Sequence, residues 1–268
     1  MKIAFIGDII GRPGREMLAK KLLHVRKEYG IDFVIANSEN VSHGFGMIRK
    51  NADELLKAGV DFMTGGNHTW DKKEIISMFE DMPLIRPLNY PEGVPGSGYK
   101  VVEVCGEKLA IINVLGHYGM SMVENPFIAT TRCVESLIEE GIKNIIIDFH
   151  AESTAEKRGL YMMLQGKISA LFGTHTHIGT DDLSVELGTC YVSDVGLSGC
   201  RDNVIGMDKN APIKRMMTGL PASFDIPKQC KKIMQLIVCE IIDGKCISAQ
   251  KLRVFDDRET LVQEALYE

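Results

Sequence analysis

Short apolar runs alternate with amphipathic stretches along most of the 268-residue chain. Apolar runs bounded by turn residues predict strands at 2–7, 32–37, 61–64, 100–105, 108–115, 144–149 and 168–172. Apolar residues at helical spacing predict helices at 13–29, 49–58, 72–80, 129–140 and 155–165. This alternation indicates a mainly parallel sheet with helices on both of its faces.

The last third of the chain has a different pattern. Segments 235–242 and 245–254 flank Asp243 and Gly244, a pair that favours a tight β-hairpin. Such hairpins indicate a second, more antiparallel sheet packed against the first. Residues 195–230 lack periodicity and predict irregular connections, either over a functional site or at a subunit contact. Because no linker or internal repeat divides the chain, we expect a single domain over residues 1–268.

The composition is that of an ordinary globular protein, with 45% hydrophobic and 25% charged residues. The net charge of -5 argues against broad electrostatic binding to nucleic acid. It leaves a phosphate substrate possible, because bound metal ions would reverse the local potential. The seven cysteines include no C-x-x-C pair, which predicts reduced thiols rather than a disulfide framework. The start of the chain reads as a strand rather than a signal peptide, so we expect a cytoplasmic protein that does not enter a membrane.

Five predicted strands end in side chains that can bind a metal ion or transfer a proton: Asp8; Glu39 with Asn40; Asn67 with His68; His150; and His175 with His177. The carboxyl ends of parallel strands line the ligand crevice of an open sheet, so we expect one cluster at one sheet edge. Mixed carboxylate, amide and imidazole ligands suit iron, manganese or zinc better than magnesium or calcium. Two ions held in this way are the usual means of hydrolysing phosphate esters.

Each of these residues also has an ordinary structural interpretation. An aspartate such as Asp8 after a first strand is often a helix cap or turn residue. His150 alone would more often be a hydrogen-bonded residue at a strand end, and His175 with His177 could be a structural pair. The combination of all five segments in one chain favours the metal site.

Five segments carry a resemblance to a known family: GDIIGRPGR (7–15), ANSENVSHGFG (36–46), GGNHTWD (65–71), DFHAESTAEK (148–157) and GTHTHIGTDD (173–182). Together they resemble the YmdB family, a bacterial branch of the calcineurin-like metallophosphoesterase superfamily, over essentially the whole chain. Two positions depart from the wider superfamily and agree with this branch. Ile10 stands where the first motif usually has a histidine, and Glu39 stands where a bridging aspartate is usual.

The resemblance implies a fold and a ligand set. The fold would be an α/β sandwich of two mixed β-sheets flanked by helices. Asp8 and His177 would hold the first ion, Glu39 would bridge, and the second ion would be held by Asn67, His150 and His175. The ions would be two transition-metal ions, with iron preferred to manganese. The sequence leaves two roles open for Asn40, either as a metal ligand or as a hydrogen-bond donor to a ligand.

The resemblance also implies an activity, the hydrolysis of 2′,3′-cyclic nucleotides, with 2′,3′-cyclic AMP the first choice. A hydroxide between the ions would attack phosphorus, and His68 would protonate the departing ribose oxygen. His43, in a glycine-flanked loop, could contact substrate. Two alternatives stay open: a phosphomonoesterase or protein phosphatase on the same scaffold, and a regulatory nucleotide-binding protein with little turnover. Proteins of RNA turnover are implied as partners, and a homo-oligomer is plausible.

Overall fold

Two seven-stranded β-sheets pack face to face in the computed structural model, which describes residues 1–267. The strands are β1 (Lys2–Ile6), β2 (Phe33–Asn37), β3 (Phe62–Thr64), β4 (Tyr99–Val104), β5 (Glu107–Leu115), β6 (Asn144–His150), β7 (Ala170–Thr174), β8 (Ser184–Glu186), β9 (Thr189–Val192), β10 (Gly199–Cys200), β11 (Lys232–Ile242), β12 (Lys245–Phe255), β13 (Leu261–Glu264) and β14 (Leu266–Tyr267). The α-helices are α1 (Gly11–Glu28), α2 (Arg49–Ala58), α3 (Ile75–Met78), α4 (Pro126–Glu139), α5 (Thr154–Leu164) and α6 (Asn210–Thr218).

Both sheets are mixed. The first has the order β13–β12–β11–β1–β2–β3, with β10 beside β11; β1, β2 and β3 are parallel, and β11 joins β1 antiparallel. The second has the order β14–β8–β9–β7–β6–β5–β4, and its centre, β5–β6–β7–β9, is parallel. The two mixed sheets implied by the resemblance are therefore confirmed. The second sheet expected from the hairpins is also present, but the parallel strands are divided between the two sheets instead of forming one sheet with helices on both faces, because periodicity identifies strands but not their partners.

Three apolar layers hold the sheets and helices together. Between the sheets, Phe5 of β1 meets Phe172 of β7 with ring centroids 5.0 Å apart. Leu22 of α1 and Leu55 of α2 pack on the outer face of the first sheet, and Leu160 of α5 packs on that of the second. Strands buried on both faces are expected to read as continuous apolar runs, which is why the sequence revealed them.

Helix boundaries follow local signals where those signals are strong. Helix α2 has the predicted bounds and ends at Gly59, whose φ of 104° is strained for any residue with a Cβ. The helix predicted at 72–80 is instead a 3₁₀ turn at Thr69–Asp71 followed by the short α3. Segment 195–230, predicted to be irregular, contains β10 and α6. Within residues 1–267, no helix is both long and apolar enough to cross a membrane.

The prediction that the cysteines are reduced is wrong for one pair. Cys200 and Cys230 form a disulfide, with Cα atoms 5.6 Å apart, while the other five cysteines are free. The two residues meet because β10 pairs antiparallel with β11, which brings Cys200 opposite Lys232. An odd cysteine count does not say which cysteines pair, and a C-x-x-C search finds only close neighbours along the chain. Neither could therefore detect a pair that is 30 residues apart.

Replacing both Cys200 and Cys230 with Ser should lower the free energy of unfolding by about 2–4 kcal/mol, because the bond closes a long loop in the unfolded chain. Denaturant unfolding without reductant measures this loss. Cys105→Ser, which removes an exposed free thiol, serves as the control and should leave stability unchanged. With dithiothreitol present, the double variant and the parent should unfold alike; equal stability without reductant would show that the bond does not form.

Candidate active site

The predicted site residues come together where the two sheets meet, although they belong to both sheets. Asp8, Glu39 and Asn67 follow β1, β2 and β3 of the first sheet. His150 ends β6 and His175 follows β7, in the second sheet. The expectation of one cluster therefore matches the structure, but the expectation of one sheet edge does not. Each sheet contributes part of the ligand set to a shared cleft.

Three ligand atoms converge on Nε2 of His150, and we call the four residues involved the His150 group: Glu39, Asn67, His150 and His175. His150 Nε2 lies 2.9 Å from Asn67 Oδ1, 3.1 Å from Glu39 Oε1 and 3.1 Å from His175 Nδ1. Glu39, His150 and His175 alone already have the mutual distances needed to hold a metal ion. Amide oxygen, carboxylate and imidazole are the ligands that borderline transition metals accept together.

The other nitrogen of His150 determines which side of the ring faces this group. Thr174 donates its hydroxyl proton to Asp148 Oδ1 at 2.7 Å, so its oxygen accepts from His150 Nδ1 at 2.9 Å. With Nδ1 as the donor, the lone pair of neutral His150 is on Nε2, inside the His150 group. Asn37 reinforces the arrangement by donating to Asp148 Oδ2 at 2.9 Å. The hydrogen bonds behind the ring therefore prepare it as a ligand.

A second set of ligand atoms lies beside the first, and we call it the His177 group: Asp8, Asn40 and His177. His177 donates from Nδ1 to the Ile205 carbonyl at 2.9 Å, which turns its Nε2 toward the site. This Nε2 lies 3.2 Å from Asn40 Oδ1 and 3.8 Å from Asp8 Oδ1. Because Glu39 and Asn40 are neighbours in sequence, one loop supplies an oxygen to each group. Ile10 adds no ligand, since it is buried in an apolar cluster with Leu197 and Met207.

Two buried carboxylate oxygens test whether cations fit these groups. Asp8 Oδ1 and Glu39 Oε1 are buried and have no hydrogen-bond partner in the described chain. Their other oxygens accept backbone N–H groups, from His175 to Asp8 at 3.2 Å and from His68 to Glu39 at 2.8 Å. An unpaired buried anionic oxygen is costly, and cations in the two groups would satisfy both. The residues present therefore fit divalent metal ions.

The electrostatics favour positive charge at the same place. Burial would raise the pKa of the Glu39 carboxyl, but the charge of the adjacent His150 outweighs it and lowers that pKa to about 2. Burial would lower the pKa of His150, yet Glu39 and then Asp8 raise it to about 9. Burial and the adjacent His150 lower the pKa of His175 to about 3. A proton on His150 and a metal cation thus respond to the same negative field.

Close backbone approach is needed to assemble the site. A Cβ added to Gly66 would lie 2.2 Å from Glu39 Oε2 and 2.6 Å from His150 Nε2, so only glycine fits there. His175 and His177 have φ values of 96° and 65°, which are strained for non-glycine residues. Asp194 holds this turn by accepting from the backbone N–H of Thr176 at 3.1 Å and from its hydroxyl at 2.8 Å.

His68 lies at the mouth of the cleft. Its Nδ1 donates to Asp71 Oδ2 at 2.8 Å, which leaves Nε2 available, and its ring meets the Phe45 ring edge-on at 5.0 Å. Only its backbone N–H touches a candidate ligand, Glu39. The imidazole side chain therefore lines the cleft and forms its hydrogen bond with Asp71 instead of with a candidate ligand. Its orientation by a carboxylate is typical of catalytic histidines.

Comparison with known proteins places the chain in a family. A family described as YmdB-like protein matches residues 4–252. The chain belongs to the YmdB-like family. A 2′,3′-cyclic-nucleotide 2′-phosphodiesterase of Bacillus subtilis strain 168 is 40% identical over 264 residues, covering 96% of this chain and 98% of the relative. The family resemblance read from the five sequence segments is therefore confirmed.

Two solved structures that match this chain over nearly their whole length support the fold. One, described as a novel phosphatase of Mycoplasma pneumoniae, has a TM-score of 0.89 and 31% identity, covering 95% of this chain and 93% of that one. The other, a hypothetical protein from Thermus thermophilus, has a TM-score of 0.88 and 36% identity, covering 99% and 100%. Likeness to a phosphatase of this fold confirms the predicted metallophosphoesterase-type sandwich.

The sequence of this YmdB-like chain did not point to several residues at or near the site. It also predicted a substrate contact for one residue that does not line the cleft. Asp71, Asp148 and Thr174 stand inside the family segments, so their position next to a ligand was the available signal. Phe224 lies in the aperiodic stretch, where no pattern marked it. His43 is exposed and does not line the cleft, whereas its neighbours Gly44 and Phe45 do. Its contact with substrate stays a prediction.

Proposed function

We propose that this chain is a metal-dependent phosphodiesterase that hydrolyses 2′,3′-cyclic nucleotides, with 2′,3′-cyclic AMP as the preferred substrate. One observation carries the proposal: members of both ligand groups, Glu39 with His175 and Asn40 with His177, line a single cleft together with His68, whose Nε2 is available. The enzyme class itself, a phosphoric diester hydrolase, is the part of the sequence-based prediction that the relative from Bacillus subtilis confirms.

We infer two ions, iron in preference to manganese, from the mixed oxygen and nitrogen ligands. Asp8, Asn40 and His177 would hold the first, and Asn67, His150 and His175 the second, with Glu39 between them. When bound, the ions supply a hydroxide nucleophile and neutralise charge on the phosphate. Support for Asn40 as a ligand comes from its oxygen, which points at His177 Nε2 from 3.2 Å.

The remaining chemistry belongs to His68. Its Nε2 would protonate the ribose oxygen that departs when the cyclic diester opens, because an alkoxide is a poor leaving group. Asp71 keeps Nδ1 as the bonded nitrogen and so keeps Nε2 turned to the substrate. The Phe45 ring against His68 limits the freedom of the imidazole. A protein that only bound nucleotides would need neither the proton donor nor its orienting carboxylate.

The test compares substrates on one preparation of the protein. Elemental analysis should find about two ions per chain, and chelation should abolish activity that added iron(II) or manganese(II) restores. Hydrolysis of 2′,3′-cyclic AMP and bis-p-nitrophenyl phosphate should exceed that of p-nitrophenyl phosphate. Faster cleavage of the monoester would favour a phosphomonoesterase, and nucleotide binding without turnover would favour a regulatory protein. Homo-oligomerisation, RNA-turnover partners and a cytoplasmic location stay predictions.

A further inference from the structure

The cleft that contains the ligand groups has an apolar wall. Glu39 and His177 line a cavity of about 430 Å³ together with Phe45, Met207 and Phe224, which belong to one apolar cluster. This volume is within the range of small-molecule sites, which typically combine an apolar lining with a few polar anchors. The metal ligands account for the polar side, but nothing in the hydrolysis of a phosphate requires the apolar side.

Two different segments build the apolar wall. Phe45 comes from the loop after β2, while Met207 and Phe224 come from residues 201–229, which the Cys200–Cys230 disulfide closes at its ends. The two segments fit tightly, since a Cβ on Gly44 would lie 2.4 Å from Met207 Cε. The wall is therefore a fixed part of the cleft.

Residues 201–229 are also attached to the ligand groups and held internally. The Ile205 carbonyl accepts from His177 Nδ1 at 2.9 Å, which links the segment to a candidate ligand. The Asp208 N–H donates to the Asp225 carbonyl at 2.8 Å, which holds the backbone next to Phe224. The guanidinium of Arg215 lies 5.6 Å from the Phe224 ring centre. The distance from the phosphate site to the aromatic wall is thus set by the fold.

A planar ring attached to the diester would meet this wall. In a 2′,3′-cyclic nucleotide the phosphate is on one edge of the ribose and the base is on another. With the phosphate at the ligand groups, two aromatic side chains and a thioether offer the base stacking and dispersion contacts. The side chains of Phe45 and Phe224 have no hydrogen-bonding group, and Met207 has only a weak acceptor. Such a surface holds any base and distinguishes poorly among them.

We propose that Phe45, Met207 and Phe224 form a nucleobase site that makes this cleft selective for cyclic nucleotides over diesters without a base, and tolerant of which base is present. The inference rests on the proposed function, since it assumes that the phosphodiester binds at the ligand groups. It deepens that proposal by naming the residues that hold the base and by including cyclic nucleotides of every base among the substrates.

The experiment measures kcat and KM for 2′,3′-cyclic AMP, 2′,3′-cyclic UMP and glycerol 1,2-cyclic phosphate, which has the same five-membered phosphodiester but no base. Phe224→Ala should raise KM about tenfold for both nucleotides, in line with the loss of one stacking contact. For the glycerol diester, KM should hardly change because no base is present. Phe224→Tyr, which retains a ring, should keep the nucleotide KM near that of the parent.

Met217→Ala is the matched control, because Met217 lies in the same segment, is 82% exposed and does not line the cleft. This variant should leave kcat and KM unchanged for all three substrates. Equal losses on nucleotides and glycerol diester in Phe224→Ala would show that Phe224 only supports the fold of the cleft. A parent enzyme that cleaves the glycerol diester as well as the nucleotides would overturn the base site alone. A parent that cleaves none of the three would overturn the proposed function itself.

Discussion

Glu39→Gln should lower kcat/KM for diesters by more than about 100-fold. That factor is the largest loss usually seen when a residue that only supports a metal ligand is replaced. Glu39 Oε1 is buried without a hydrogen-bond partner, and Oε2 accepts from the His68 N–H. A glutamine of the same shape can keep the His68 contact, but it is neutral and cannot offer two anionic oxygens to two cations. Steady-state kinetics and elemental analysis would measure the loss of activity and of metal.

Glu156→Gln is a control for the loss of a buried carboxylate. Glu156 is 5% exposed, compared with 2% for Glu39, and it also accepts a backbone N–H at 2.8 Å, from His117. It does not line the cleft, so its variant should keep diesterase activity whatever its effect on the melting temperature. Near-normal turnover by a folded Glu39→Gln protein would show that Glu39 does not bridge the ions.

His68→Ala should lower kcat on 2′,3′-cyclic AMP by about 10²–10⁴-fold, the usual contribution of a general acid. The loss on bis-p-nitrophenyl phosphate should be far smaller, because p-nitrophenolate leaves readily without a proton. Metal content should be retained, since His68 contacts Glu39 through its backbone N–H, which alanine also has. Kinetics on both substrates at fixed metal content would measure the difference.

Two further histidine variants define the comparison. His175→Ala should lose an ion, because its Nδ1 belongs to the His150 group. His24→Ala should change neither metal content nor rate, because His24 is exposed on α1 and pairs only with Glu28. Equal losses on the two substrates in His68→Ala would mean that His68 serves binding or charge stabilisation. The acid would then have to be sought at His43 or in a water held by the ions.

The sequence by itself indicated most of the long strands and helices, and it named the candidate ligands of the site. Continuous apolar runs mark strands such as β1, because a strand buried on both faces is made mainly of apolar residues. The first polar residue after such a run, Asp8 after β1 for example, leaves the core where a ligand is expected. Family segments then supplied the order of ligands, a local property that can be read without knowing which strands pair.

Only the tertiary structure decided which strands pair and which distant groups meet. It divided the parallel strands between two sheets, so the site lies between sheets and not on one edge. It brought Cys200 to Cys230, and it placed Phe224 of an aperiodic segment beside the ligand groups. It also fixed the orientation of the His150 ring through hydrogen bonds to Thr174 and from Thr174 to Asp148. The physical reason is the same in each case: periodicity and motifs arise from neighbours along the chain, whereas these contacts depend on packing between segments far apart in sequence.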